Sequence, residues 1–258
     1  MFEQIGKRVW RRHDLAGSTS YLVVGEKSAA MVDCGAIPCS LMAEIRAITP
    51  LPVALLLTHA HPDHYGAAAD FGEVWLHEDD AAALPVFESA FAVMGIAPLD
   101  RGRLHTFKDG HEFDLGGLTL SACHLPGHTP GSTVFVCEEE ACIFIGDAVG
   151  SGDIVLMSVP LAYCLSDYRA SLRAYLDKSE GWAEYTCLSG HCHQQKKADG
   201  TENLPCRAMI EDMEKLCTLL LEGKTRGEEV KEIFAPDGRA FRAYAGRAGI
   251  VYTAEQKR

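Results

Sequence analysis

The stretch Leu55-Leu56-Leu57-Thr58-His59-Ala60-His61-Pro62-Asp63-His64-Tyr65-Gly66 carries three histidines and one aspartate within six residues. An apolar run precedes it and a run of small residues follows. Imidazole nitrogens and a carboxylate at that density suit a borderline transition metal such as Zn²⁺. The plain alternative is a His-rich surface loop, but later parts of the chain supply the rest of a metal site. Val53 to Leu57 reads as a fully apolar strand of the kind buried on both faces. Pro62 and Asp63 fit a helix start, which Ala67-Ala68-Ala69 continues. Strand, site loop, helix is how open α/β sheets hold ligands, outside the carboxyl ends of strands.

The chain has 258 residues, 47% hydrophobic and 23% charged, enough for one large core or two small ones. Its formal net charge of -12 argues against a nucleic-acid substrate, which wants a basic groove. Met1 to Arg8 contains no apolar signal-like region, and no apolar run is long enough for a membrane span. None of the ten cysteines forms a C-x-x-C pair, and most sit in apolar runs. They read as reduced thiols in a cytoplasmic protein. The expected partner is a small-molecule substrate, with no nucleic acid and no membrane; a homodimer is left open.

Residues 21–24 and 29–32 read as strands joined by a turn at Gly25 to Ser28, the second ending at Asp33-Cys34-Gly35. Residues 40–48 carry a helical pattern that Thr49-Pro50 stops. A strand at 74–76 and a helix over 78–84 follow. Between Pro85 and Pro98, Phe87, Phe91, Met94 and Ile96 form an apolar face, read as core-covering rather than as a lid. Residues 103–145 hold five short strands interrupted by Gly-rich loops at 125–131 and, at their end, 146–150. Ser166-Asp167 is expected to cap a helix reaching about Lys178. A strand over 185–188 leads to Ser189-Gly190-His191. A polar loop at 194–202, a long helix over 204–221, a short helix over 227–234 and one last strand within 239–253 complete the pattern. Strands and helices mix in both halves, so one domain spanning 1–258 is expected, with the elements after about 203 packed onto it.

The polar residues at strand ends are Asp33, His59, His61, Asp63, His64, His128, Asp147 and His191. Through His59-Ala60-His61-Pro62-Asp63-His64, Gly127-His128, Gly146-Asp147 and Gly190-His191, with Val32-Asp33-Cys34-Gly35 upstream, the chain resembles the metallo-β-lactamase fold superfamily. The resemblance covers roughly residues 20–195. It implies an α/β fold, a four-layer αβ/βα sandwich of two mixed β-sheets flanked by helices. It also implies a binuclear site for two divalent metal ions, zinc first, with iron or manganese as alternatives. His59, His61 and His128 would hold one metal, and Asp63, His64 and His191 the other. Asp147 would bridge them together with a water or hydroxide, Asp63 would pass a proton to the leaving group, and Asp33 would steady the site loops. A carboxylate bridge offsets the repulsion of two cations about 3.5–4 Å apart, and such metals make a nucleophile of water at neutral pH.

His13, His77, His105 and His111 read as surface or satisfied core residues. His124 and His193 stand close enough to His128 and His191 to orient them by hydrogen bonding. Fold does not settle the reaction. The segment Leu125 to Ser132 is similar to that of glyoxalase II-like hydrolases and lactonases, implying hydrolysis of a small ester, thioester or lactone. Cys192-His193-Gln194 stands where glyoxalase II has an aromatic, which argues against strict hydroxyacylglutathione specificity. Phe87, Phe91, Met94, Met157 and Tyr163 are candidates for an apolar acyl pocket. The alternatives are a mononuclear-iron persulfide dioxygenase and a phosphodiesterase.

Overall fold

The computed structural model describes residues 1–149, 154–192 and 206–258; Gly150, His193, the polar stretch 194–202 and the start of the expected long helix lie outside them. The first sheet holds β1 (Glu3–Gln4), β2 (Val9–His13), β3 (Thr19–Val24), β4 (Ala29–Val32), β5 (Val53–Leu56), β6 (Val74–His77) and β7 (Leu104–Phe107), neighbours in chain order. From β4 onward the pairs are parallel. Parallel neighbours need long crossovers, and these carry α1 (Met42–Arg46), α2 (Pro62–Tyr65) and α3 (Glu78–Ala90). The second sheet is built from β8 (Glu112–Asp114), β9 (Thr119–His124), β10 (Thr133–Cys137), β11 (Cys142–Gly146) and β13 (Thr186–Ser189), in the order β13-β11-β10-β9-β8. A third sheet, which the sequence pattern did not suggest, joins β12 (Ile154–Leu156), β16 (Ala248–Tyr252), β15 (Arg239–Ala245) and β14 (Glu228–Lys231). Two further helices, α4 (Leu165–Lys178) and α5 (Cys206–Leu221), lie against each other.

Period-two alternation sorts the side chains into layers. Tyr21 and Val23 of β3, Ala30 and Val32 of β4, and Leu56 of β5 share one cluster with Leu120, Phe135 and Phe144 of the second sheet. Their neighbours Leu22, Met31 and Leu55 point the other way, towards α1 and α3. Val134, Val136, Ile143 and Ile145 likewise face α4, α5 and the third sheet. The order helix, sheet, sheet, helix is the expected four-layer sandwich. All ten cysteines are free. Among the described residues no helix is long and apolar enough to cross a membrane.

Several local expectations are corrected. Residues 228–231 form a strand rather than a helix. Their charged, helix-favouring residues are overridden by antiparallel pairing with β15. The tail is a hairpin of β15 and β16 instead of one strand, turned at Gly246, whose φ of +57° suits a residue without Cβ. The helix at 78 does not stop at Pro85 but runs to Ala90, held by buried Leu84 and Phe87. Cys164 occupies the N-cap of α4 without a side-chain bond to the helix backbone, leaving Ser166 and Asp167 inside its first turn. The helix after His61 is a single turn, because the Gly66 N–H bonds the Gly35 carbonyl at 2.6 Å and draws the chain back to the end of β4.

Phe144 is 1% exposed and meets the Tyr21 ring edge-on at 5.2 Å across the two sheets. Phe144→Ala is expected to cost about 3–5 kcal/mol of stability, read as a lower urea midpoint with an unchanged slope.

Candidate metal centre

Every residue that the sequence nominates lies on a turn at one edge of the two central sheets. Asp33 follows β4, His59 to His64 follow β5, His128 lies between β9 and β10, Asp147 follows β11 and His191 follows β13. Backbone bonds tie these turns across the sheets. The Thr133 N–H donates to the Thr58 carbonyl at 2.9 Å, and the Thr19 N–H to the Gly190 carbonyl at 2.7 Å. A Cβ on Gly190 would collide with the Asp147 carboxylate and the His64 ring, so only glycine lets this turn approach.

All seven nominated metal residues come together. His59, His61 and His128 form one set, with ring centroids 4.6–5.0 Å apart. Asp63, His64 and His191 form a second, and His59, His64 and Asp147 a third between them. Within each set one donor atom per residue lies within 4.8 Å of the others. His191 Nε2 is 3.1 Å from Asp147 Oδ2 and 3.4 Å from Asp63 Oδ2. The Nε2 atoms of His59, His61, His64 and His128, and Asp147 Oδ1, are buried without a hydrogen-bond partner. Unsatisfied buried polar atoms cost about 1–3 kcal/mol each, so five aimed into one space fit cations.

The opposite ring nitrogens are held from behind. Asp33, 2% exposed with a positive φ of 54°, accepts from the Thr58 N–H at 2.8 Å and the Thr58 hydroxyl at 2.7 Å. The same carboxylate lies 2.8 Å from His64 Nδ1. His128 Nδ1 is 2.8 Å from the Leu156 carbonyl of β12. Such partners fix ring orientation and tautomer.

Protonation divides the two sets. Burial, reinforced by the neighbouring imidazoles, pushes His59 and His61 well below the ordinary histidine range; burial also lowers His128. These three rings are neutral at pH 7. Burial opposes protonation of His191 too, but Asp147 and Asp63 outweigh it and push the ring up to about 10. His64 is likewise raised against its burial by Asp63, Asp33 and Asp147. In return, and against desolvation, the charged His64 and His191 hold the Asp63 and Asp147 carboxyls below the usual range.

The site opens into a cavity of about 350 Å³. Phe91 and Met94 line it, as expected, together with Ile154, Leu156, Val159 and Phe234. The other acyl-pocket candidates do not. Phe87 packs edge-on against His61 at 5.0 Å, Met157 is fully buried, and Tyr163 packs on the core around α4.

Asp80 escaped the sequence reading. It is 0% exposed. Its carboxylate accepts from the Ala60 N–H at 2.8 Å, the Thr129 hydroxyl at 2.8 Å and the Gly131 N–H at 2.6 Å. It thus clamps the His59–His61 turn to the His128 turn. In sequence it is only the last of three acids opening a helix, which the helix dipole explains by itself. Next to it, His77, Asp79 and His124 also gather. There the imidazoles stack at 4.1 Å and 14°, so their in-plane lone pairs run parallel instead of converging. His77 Nδ1 accepts from the Asp79 N–H and His124 Nε2 bonds the Pro130 carbonyl, which is a packing role. Asp80→Ala leaves three donors unanswered and is expected to lower stability by about 3 kcal/mol or more, measured by denaturant unfolding of the metal-free protein.

Known proteins resemble this chain in sequence and fold. The profile of the metallo-beta-lactamase superfamily matches residues 13–191. Hydroxyacylglutathione hydrolase GloC of Haemophilus influenzae is 35% identical over 138 residues, which is 50% of this chain and 65% of that protein. The chain therefore spans just under two thirds of that relative's length. The acyl-coenzyme A thioesterase MBLAC2 of Gallus gallus is 27% identical over 201 residues, 66% of this chain and 71% of its own. Among solved structures, TTHA1623 in a di-iron-bound form superposes with a TM-score of 0.55 at 29% identity, covering 74% of this chain and 91% of its own. A family match over more than half of the chain makes this protein a member of the metallo-β-lactamase superfamily.

Proposed function

We propose that this protein is a binuclear metal-dependent hydrolase of small carboxylic esters, thioesters or lactones, with thioesters first. The observation that carries the reading is the pair of donor sets meeting at Asp147, with five buried donor atoms left unpartnered. In this reading His59, His61 and His128 hold one cation, Asp63, His64 and His191 hold the other, and Asp147 serves both. Cations so held would supply Lewis acidity and lower the pKa of water to about 7, giving a nucleophile at neutral pH. In the reaction the water oxygen bonds to the acyl carbon, the bond from that carbon to sulfur or oxygen breaks, and the leaving atom takes a proton. Asp63 lines the cavity, and its carboxylate is the group assigned to relay that proton. Asp33, Asp80 and the Leu156 carbonyl keep the ligands in position. The similarity to GloC and MBLAC2 supports a thioester, while the two irons of TTHA1623 keep iron beside zinc and manganese. The ten free thiols support a reducing, cytoplasmic setting.

Elemental analysis alongside a screen of thioesters and lactones tests the reading. Two metals per chain and turnover of either class are expected. No turnover with both sites filled overturns it, and one iron with thiol-dependent oxygen uptake replaces it by the dioxygenase. His59→Ala is expected to lose one metal and at least about 100-fold in kcat. Metal affinity should also split by pH. The three neutral histidines need release no proton, whereas the set containing His64 and His191 must displace the protons that the neighbouring carboxylates hold on those rings, His191's below about pH 10. Affinity of that second set should rise about tenfold per pH unit per displaced proton, with proton release seen calorimetrically in buffers of different ionisation enthalpy.

A further inference from the structure

The family match ends at His191, yet the chain beyond it returns to the site. Phe234 lies in the connection between β14 and β15 and lines the cavity. Its ring meets Phe91 at 5.0 Å with an interplanar angle of 64°, and Phe91 in turn meets His61 at 4.9 Å. A chain of aromatic contacts therefore leads from the third sheet to a metal-site histidine. The connection is fixed by its own bonds. Glu232 accepts from the Phe234 N–H through its side chain and from the Ala235 N–H through its carbonyl, and Glu232 N–H bonds Gly238. The same sheet holds β12 by parallel pairing with β16. That strand contributes Ile154 and Leu156 to the cavity, and the Leu156 carbonyl meets His128.

We propose that Phe234, with Phe91 and Met94, forms an acyl-binding wall that makes the third sheet the specificity element of this enzyme, selecting substrates with an apolar acyl group larger than acetyl or lactoyl. This rests on the hydrolase reading. The cavity has two unlike walls. His61, Asp63, His128, Asp147 and His191 occupy one; the other lining residues among those described are all apolar, with no lysine or arginine. Away from the metal-site wall, an anionic carrier such as glutathione or a nucleotide thus meets no ammonium or guanidinium group among the described residues, and what the opposite wall can recognise is hydrocarbon. A volume of about 350 Å³ is at the small end of ligand pockets, room for a medium-length acyl chain with its carrier left outside. Apolar contact contributes in proportion to the area removed from water, so selectivity should grow with chain length.

The test compares acetyl, lactoyl and hexanoyl thioesters of one thiol, N-acetylcysteamine, on the metal-loaded full chain, with hexanoate binding measured separately. The native enzyme should prefer hexanoyl in kcat/KM. Phe234→Ala should reduce the ratio of hexanoyl to acetyl kcat/KM about tenfold, mainly through KM, and weaken hexanoate binding to a similar extent. Phe234→Leu should restore most of both. Metal content and unfolding midpoint, measured for each variant, separate these effects from misfolding. Equal losses on hexanoyl and acetyl, or unchanged hexanoate binding in a folded Phe234→Ala protein, overturn the proposal. If the native enzyme hydrolyses no thioester but hexanoate binding depends on Phe234, the thioesterase reading fails and the apolar wall stands.

Discussion

Five histidines and two aspartates crowd around one cavity, and their mutual charge is the constraint on which the structure depends. Buried imidazoles cannot all be protonated and buried carboxylates cannot stand alone. The protein resolves this by segregation. His59, His61 and His128 lie together and stay neutral, while the carboxylates beside His64 and His191 raise those two rings. The result is a cluster in which carboxylates offset the charge on His64 and His191, while Nε2 of His59, His61, His64 and His128 and Oδ1 of Asp147 remain without hydrogen-bond partners.

The sandwich makes that crowding possible. Strands of both central sheets end at one edge, and each ending turn delivers one or more donors. The cross-sheet bonds from Thr133 to Thr58 and from Thr19 to Gly190 keep the two edges in register. Behind them, Asp33 and Asp80 use buried carboxylates as fasteners. Asp33 joins the end of β4 to Thr58 and His64, and Asp80 joins the His59–His61 turn to the His128 turn. The third sheet does the same, reaching His128 through β12, which lies within the family match, and the cavity through Phe234, which lies beyond it.

That the seven candidate donors would gather was legible because metal binding restricts residue type and because each sits in a turn beside an apolar strand. Asp33 was legible for the same reason. Asp80 was not, since its partners Thr129 and Gly131 lie 49 and 51 residues away and its own neighbourhood reads as an ordinary helix start. Phe87 and Phe91 were equivalent in the sequence, four residues apart on one apolar face. Only packing turned Phe91 to the cavity and left Phe87 as the support for His61.

The sequence by itself determined most strands and the polar residues at their ends, because strand periodicity and residue type are local properties, while the four-layer sandwich and the two ligand sets were implied by the family resemblance. It misread residues 227–234 as a helix, because helix-favouring charges are a weak local preference that a β15 partner overrides. Tertiary structure alone decided that a third sheet exists and that Phe234 faces the metal cavity. It also decided that His128 leans on a carbonyl of β12. Those contacts join segments far apart in the chain, and no local pattern of residues encodes which distant segment will meet which.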